Sequence, residues 1–171
     1  PVDIRIDPTV TTVAELSIAD PSGARTYFYQ RTSELLNTLN SADLSPLEQA
    51  PYLYVDWYDG DHILRPMQAA SRLGLPVFLN LESQLANPEV LVKLAPYTIV
   101  CQISADQPES GYDLESIADS LLEVGITTVL ITGGSRGCLA AEANHKVRVS
   151  APTINVVDGK GAGSSFSASY I

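Results

Sequence analysis

The sequence predicts an α/β domain with a mainly parallel sheet covered by helices on both faces, together with a small β-hairpin. From residue 51 onward, short apolar segments alternate with segments whose apolar residues recur at helical spacing, which is the pattern of βαβ units. Hydrophobic residues make up 45% of the 171 residues, enough for the core of one domain. We expect one domain over residues 1–171, with a hairpin at 10–30 and an α/β core at 51–171.

The predicted hairpin opens the chain. Residues 10–19 partly alternate apolar and polar side chains, Asp20-Pro-Ser-Gly23 has the composition of a turn, and residues 25–30 supply the return strand. Such a hairpin is either an ordinary sheet edge or a flap over a site. Its aromatic residues at 27–29 fit a sugar or a partner chain, although a sheet edge or a dimer face is the simpler account.

The first half of the core alternates strands and helices. Residues 31–50 are polar and mixed, with a helical turn expected near Ser45-Pro-Leu-Glu. We then predict strands at 52–57, 75–80 and 97–103, and helices at 61–73 and 88–94. Gly74 ends the first helix, and Asn87 with Pro88 has the cap pattern that opens the second.

The second half continues the alternation. A helix is predicted over 112–124 and ends at Gly125, and a strand follows at 127–132. After the turn Gly133–Gly137, segments 138–141 and 146–150 predict a hairpin around Asn144. A closing strand at 153–157, a glycine turn at 159–163 and the start of a helix complete the chain.

The bulk composition excludes several classes of protein. The net charge is −10, from 10 basic and 20 acidic residues, and no Lys/Arg cluster is available to neutralise the phosphates of a nucleic acid. No apolar segment approaches the roughly 18 residues of a membrane span, and no signal segment opens the chain. Cys101 and Cys138 lie in apolar segments and His62 and His145 lie far apart, so we predict buried thiols, a cytoplasmic protein and no metal site.

Polar residues and glycines gather at the predicted carboxyl ends of the strands, where ligands bind in parallel sheets. They are residues 80–82, residues 104–106 and the glycine turns at 133–137 and 159–163. Glu82 suits a sugar or a metal there, and a solvated carboxylate is an equal alternative. Arg136 suits a phosphate, and a solvated guanidinium is the simpler alternative.

The glycine turn at 159–163 has the local pattern of an anion site. A turn before a helix points backbone N–H groups and the positive end of the helix dipole at one place, which suits a phosphate, although plain turn formation explains the same pattern. The turn is not a P-loop, because Lys160 lies inside it and no Ser or Thr follows. A nucleophile elbow is also disfavoured, since Ser164 and Ser165 do not lie in Gly-x-Ser-x-Gly and the sequence indicates no His-Asp partners for them.

The chain resembles a known family in this segment. Val157-Asp158-Gly-Lys-Gly161-Ala162-Gly163-Ser164-Ser-Phe166 is similar to Asp-Thr-x-Gly-Ala-Gly-Asp-x-Phe, the signature of ribokinase-like (phosphofructokinase B-type) carbohydrate kinases, and the likeness is strongest to the ketohexokinase-like branch. Thr132-Gly-Gly-Ser-Arg-Gly137 resembles the family's nucleotide-side turn, and the opening hairpin resembles its lid over the sugar. The resemblance covers the whole chain and implies a three-layer α/β/α fold that is truncated at both ends.

The resemblance implies a kinase that transfers the γ-phosphoryl group of ATP, with Mg²⁺, to a sugar hydroxyl. Gly161, Ala162 and Gly163 would supply the N–H groups of an anion hole, meaning the backbone donors that stabilise the transferring phosphoryl group. Thr132, Gly133, Gly134 and Gly137 would bind the nucleotide. Asp158 would lie near a monovalent-cation site for K⁺. Separately from the resemblance, the aromatic face of the hairpin and the unpaired sheet edges predict self-association, with a homodimer through the lid hairpin as its expected form.

The chain departs from the signature where the chemistry is performed. Ser164 occupies the position of the family's catalytic base, an Asp, and a hydroxyl without an activating partner is a very poor base. The family's Asn-x-x-Glu would fall at Ser104 and Gln107, with Asp106 between them, and Gly159 replaces the signature's Thr. Three hypotheses therefore stay open: a kinase with weak or absent activity, a degenerate member that binds a nucleotide, sugar or protein, and a fragment that lacks part of its site.

Overall fold

The computed structural model describes residues 6–20, 25–82, 88–105 and 113–171. The chain divides into two compact units, residues 1–43 and 44–171. In the first unit, β1 (Ala14–Ala19) and β2 (Arg25–Gln30) form an antiparallel two-stranded sheet, followed by the short helix α1 (Ser33–Asn37). The predicted hairpin is confirmed, with its first strand beginning at Ala14. Most of the turn predicted at 20–23 lies outside the described residues.

The second unit is built on a six-stranded sheet whose strands lie side by side in chain order. Its strands are β3 (Leu53–Asp56), β4 (Val77–Glu82), β5 (Val100–Ser104), β6 (Thr128–Thr132), β7 (Cys138–Glu142) and β8 (His145–Val149). The first four are parallel, and the last two form an antiparallel hairpin at one edge. The mainly parallel sheet is therefore confirmed.

Helices connect the parallel strands. They are α2 (Leu64–Arg72), α3 (Pro88–Leu94) and α4 (Leu114–Glu123), and α5 (Ala162–Tyr170) follows the sheet. The helix predicted from residue 61 begins only at Leu64, because a 3₁₀ segment with Gly60 at φ +57° precedes it. The Asp113 carboxylate caps α4 by accepting a hydrogen bond from the Ser116 N–H at 3.1 Å. The predicted cap at Asn87 lies outside the described residues.

No helix in the described ranges combines the length and apolar character that spanning a bilayer requires.

The side chains of the sheet divide into two faces. Alternate residues pack with α2, α3 and α4 in one buried cluster that includes Val55, Leu79, Ile103, Ile131, Met67, Leu94 and Leu121. The residues between them face α5: the Phe78 and Tyr170 rings lie 5.9 Å apart, and Gln102 hydrogen-bonds α5. This pleat alternation gives three layers, with α5 lying against part of the second face.

The predicted strand at 153–157 is wrong. Residues 151–156 have no regular secondary structure, and Ile154, Val156 and Val157 are exposed, Val157 to 95%. The apolar alternation was interpreted as a strand, but no strand in the described part of the chain supplies backbone partners to this segment. The chain therefore reaches α5 through an extended surface segment, not through a further strand of the sheet.

Candidate active site

The N-terminal turn of α5 has the geometry of an anion site. Gly161 adopts a left-handed conformation (φ +80°) at the N-cap, which glycine tolerates at little cost. The first helical hydrogen bond runs from Ser165 N–H to Gly161 O at 2.8 Å. The N–H groups of Gly163 and Ser164 precede that bond and have no acceptor within the helix. They point out of the helix N-terminus, where the helix dipole favours negative charge.

The three predicted anion-hole residues are not equivalent in this structure. The Ala162 N–H donates to Gly159 O at 3.3 Å, so its donor is already partly engaged within the turn. Gly163 provides a donor, and its Cα lies against β5, since a Cβ at this position would come 3.9 Å from Gln102 Nε2. The Ser164 main-chain N–H, which the sequence did not single out, is a further donor of the same turn.

Ser164 and Asp158 are both exposed at this turn. Ser164 is the third residue of α5, and within the described part of the chain no side chain hydrogen-bonds its hydroxyl. The Asp158 carboxylate accepts a hydrogen bond from the Lys160 N–H at 2.8 Å and so shapes the turn before Gly161. Its predicted role beside a monovalent cation stays a prediction.

The predicted nucleotide-side turn follows β6. Thr132 ends that strand, and its carbonyl accepts the Ala105 N–H at 2.8 Å. The Gly133 N–H donates to Gly137 O at 2.8 Å, and Gly134 and Gly137 both have positive φ, at +57° and +84°. The four residues thus form a closed turn beside the carboxyl end of β5. Nucleotide binding at this turn stays a prediction.

Arg136 lies in this turn, and its guanidinium donates a hydrogen bond to the carbonyl of Ala105, the residue that follows β5. The sequence left open whether this side chain reaches a phosphate or is solvated. In the structure its role is structural, because this hydrogen bond connects the turn after β6 to the end of the neighbouring strand β5.

A row of polar side chains crosses the sheet on the α5 face. Asp56, Asn80 and Gln102 lie in register on β3, β4 and β5. The Asn80 amide nitrogen, in a side chain that is only 4% exposed, donates to Asp56 Oδ2 at 2.9 Å and to Glu82 Oε1 at 2.8 Å. Glu82 has φ +53°, unusual for a residue with a side chain. Two carboxylates are thus held together at the carboxyl edge of the sheet.

The sequence identified only part of this row. Glu82 and the segment 80–82 were expected at the ligand edge, and the structure places them there beside Asp56. Asp56 lies in the strand predicted over 52–57 but was given no role there, and Gln102 was missed. The available signal was a polar residue at the same depth in three successive apolar strands, which the register of parallel pairing brings together. Of the predicted Asn-x-x-Glu positions, Ser104 ends β5, whereas Asp106 and Gln107 lie outside the described residues.

Tyr54 connects this row to α5. Burial is the largest cause that raises the pKa of its phenol, and the charges of Asp56 and Glu82 raise it further, whereas hydrogen bonds with Ser167 and Asn80 lower it. The phenol therefore stays protonated at neutral pH and can donate to a carboxylate; Asp56 Oδ2 lies 3.5 Å away. The polar groups on this face form one continuous cluster from the strand ends to the first turns of α5.

Comparisons with known proteins identify the family and the fold of the chain. The sequence profile of the pfkB family carbohydrate kinases matches residues 4–171. Aminoimidazole riboside kinase of Salmonella typhimurium is 25% identical over an aligned length of 184 residues, and the alignment covers 95% of this chain and 56% of that protein. The chain thus spans about half the length of this curated relative.

Two solved structures have the same fold. Ribokinase of Thermotoga maritima superposes with a TM-score of 0.70 at 16% identity, covering 93% of this chain and 55% of that one. Ribokinase of Arabidopsis thaliana, solved in complex with ribose and ATP, superposes with a TM-score of 0.66 at 16% identity, covering 91% and 54%. The expected ribokinase-like fold is therefore confirmed. Because the family profile matches nearly the whole sequence, the chain belongs to the pfkB family of carbohydrate kinases.

Proposed function

We propose that this domain binds Mg²⁺-ATP and a sugar, and that it transfers the γ-phosphoryl group slowly to a sugar hydroxyl. The observation that carries this proposal is the N-terminal turn of α5, where left-handed Gly161 exposes the N–H groups of Gly163 and Ser164. Backbone donors in this arrangement stabilise the charge that spreads over a transferring phosphoryl group. Lys160 in the same turn adds a positive charge, and Asp158 is the proposed neighbour of a K⁺ ion.

The polar row is the proposed binding site for the sugar. Asp56 and Glu82 present carboxylate oxygens that accept hydrogen bonds from sugar hydroxyls, and Asn80 holds both in place. These groups lie at the carboxyl edge of the sheet, on the same face as α5. The Arabidopsis ribokinase, which has the same fold, was solved with ribose and ATP. A sugar is therefore the proposed acceptor, and the nearest branch, ketohexokinase-like, stays a prediction from the signature residues.

Ser164 favours a second candidate function. It stands where the family signature has the catalytic Asp, and its hydroxyl has no side-chain hydrogen bond from any residue that the structure describes. An unactivated hydroxyl does not remove a proton efficiently at neutral pH. The alternative is a degenerate member that binds a nucleotide, a sugar or a protein and does not turn over.

We expect calorimetry to detect Mg²⁺-ATP binding with a dissociation constant between roughly 1 μM and 1 mM, as is common for kinase substrates. The titration is run with and without K⁺, and we expect tighter binding with K⁺. Adenosine is the control, because it lacks the phosphates that the α5 turn would bind. Equal affinity for adenosine and ATP, or no heat with either ligand, would contradict nucleotide binding at this turn.

The hairpin is the proposed dimer surface. Leu16 lies directly opposite Phe28 in the β1–β2 pair, and both side chains are exposed, as is Ile18 on the same face. An exposed apolar face on a two-stranded sheet is a typical association surface. We expect sedimentation to show a dimer that Phe28→Asp converts to a monomer. Tyr29→Asp, on the opposite face of the same strand, is the control, and a wild-type monomer at high concentration would refute the prediction.

The cytoplasm is the proposed compartment. Cys101 and Cys138 are both free thiols, and burial raises the pKa of the Cys101 thiol to about 12, so that it is not reactive. Free thiols of this kind are typical of reducing compartments.

A further inference from the structure

We propose that Gln102 is a positioning residue for the phosphate-binding turn, and that it does so by fixing the peptide group between Gly163 and Ser164. This inference rests on the proposed function, because it assigns a role to a side chain that touches neither ligand. Gln102 lies in β5, is the member of the polar row that hydrogen-bonds α5, and is 2% exposed.

The contacts of Gln102 form a closed triangle. Its Nε2 donates to Gly163 O at 3.3 Å, and its Oε1 accepts from Ser167 Oγ at 2.7 Å. Ser167 Oγ also lies 3.1 Å from Gly163 O, and Ser167 is itself 2% exposed. The orientation of the amide follows from the chemistry: a carbonyl only accepts, so the nitrogen must face Gly163 and the oxygen must face the hydroxyl.

The triangle acts on the peptide group and not only on the helix. The carbonyl oxygen of Gly163 and the N–H of Ser164 belong to the same planar trans unit, in which they point in opposite directions. Holding the oxygen against β5 therefore directs the Ser164 N–H outward, toward the space before the helix. A hydrogen bond to the carbonyl oxygen also polarises the N–H of the same peptide group, here that of Ser164, and strengthens it as a donor.

Packing alone does not account for a glutamine at this position. The next residue of the same row, Leu130 on β6, is equally buried and purely apolar. A buried amide costs free energy unless its polar atoms are paired, and here both atoms pair with the first two turns of α5. A leucine would fill similar volume but leave the Gly163 carbonyl without this contact.

The test uses two variants that break the triangle from opposite sides. Gln102→Met keeps the length of the side chain and removes both hydrogen bonds, and Ser167→Ala removes only the hydroxyl oxygen. Thr98→Val is the matched control, because it also removes a buried hydrogen bond, but one that does not involve α5. The Thr98 hydroxyl donates to Leu94 O of α3 at 2.9 Å. In the ligand-free chain, ¹H–¹⁵N NMR spectra report the Ser164 amide; with ligand, calorimetry reports Mg²⁺-ATP affinity.

We expect both test variants to shift the Ser164 amide resonance and to bind Mg²⁺-ATP about 10-fold more weakly, as suits one misdirected hydrogen bond to a charged group. Thr98→Val should lose comparable thermal stability with neither change. A Ser164 resonance that stays unchanged in both variants overturns the positioning role. If the wild-type chain binds Mg²⁺-ATP and both variants bind it with the same affinity, the positioning role is also overturned. If the wild-type chain does not bind Mg²⁺-ATP, the proposed function is refuted instead. The Ser164 resonance alone then tests whether Gln102 fixes the peptide group between Gly163 and Ser164.

Discussion

Replacing Ser164 with Asp will raise the rate of sugar-dependent ATP consumption by roughly 10²- to 10⁴-fold, the usual contribution of a positioned general base. The residue is exposed at the third position of α5, beside the proposed phosphate donors. A carboxylate there can take the proton of the attacking hydroxyl, which the serine cannot do without an activating partner. The measurement is ADP release in a coupled assay across a panel of sugars.

Two control variants distinguish base catalysis from a simple change of charge. Ser165→Asp places the same carboxylate one residue later in the exposed first turns of α5, so it interacts similarly with the helix dipole but points about 100° away around the helix. Ser164→Asn has the same shape as the active variant but accepts no proton. If the Ser164→Asp variant binds ATP and a sugar but stays as slow as the two controls, more than the base has been lost.

Gly137→Ala will destabilise the domain by about 4 kcal/mol, which combines a strained backbone conformation with a steric collision. Gly137 has φ +84° and ψ −149°, a region that side-chain-bearing residues avoid. A Cβ there would collide with the Val149 carbonyl oxygen and would lie 2.9 Å from the Cα of Ser150. Urea denaturation, followed by circular dichroism, measures the loss.

Gly74→Ala separates the two causes. Gly74 also has positive φ, at +72°, but a Cβ at this position would meet no heavy atom within 4 Å. This variant should therefore lose only the conformational contribution, about 1–2 kcal/mol. If Gly137→Ala cost no more than Gly74→Ala, the close approach between the turn and the chain after β8 would have no energetic importance.

The helices and most strands of the fold could be predicted because the residues that determine each of them lie within the same short segment of sequence. Helices α2 and α4 each carry a stripe of apolar residues and are followed by a glycine, Gly74 and Gly125, and both glycines have positive φ in the structure. The error at 153–157 had the opposite origin. Its alternation of apolar residues is that of a strand, but a strand forms only where a neighbour supplies backbone partners, and no local pattern states whether one exists.

Within the candidate site, the sequence predicted the glycine turn and the polar strand end at residues 80–82, but not the side chains that meet across the sheet. The Gly161 turn was identified from consecutive residues, and the structure confirms a helix that begins there. Gln102 was missed because its partners, Gly163 and Ser167, lie 61 and 65 residues further along the chain. The same holds for Asp56, which meets Asn80 only after parallel pairing sets the register. For such residues the local signal is only a polar side chain within an apolar strand, and its meaning depends on the register of the neighbouring strands.

The order of the strands has a consequence for how the domain is made. Because β3 to β8 lie side by side in chain order, each strand can pair with the one synthesised just before it. Among the strands that the structure describes, none must wait for a later segment, so they can pair one after another as the chain leaves the ribosome. Helix α5 is the exception, since it docks on β5 from the far end of the sequence. The proposed phosphate turn would then form only after the sheet that receives it is complete.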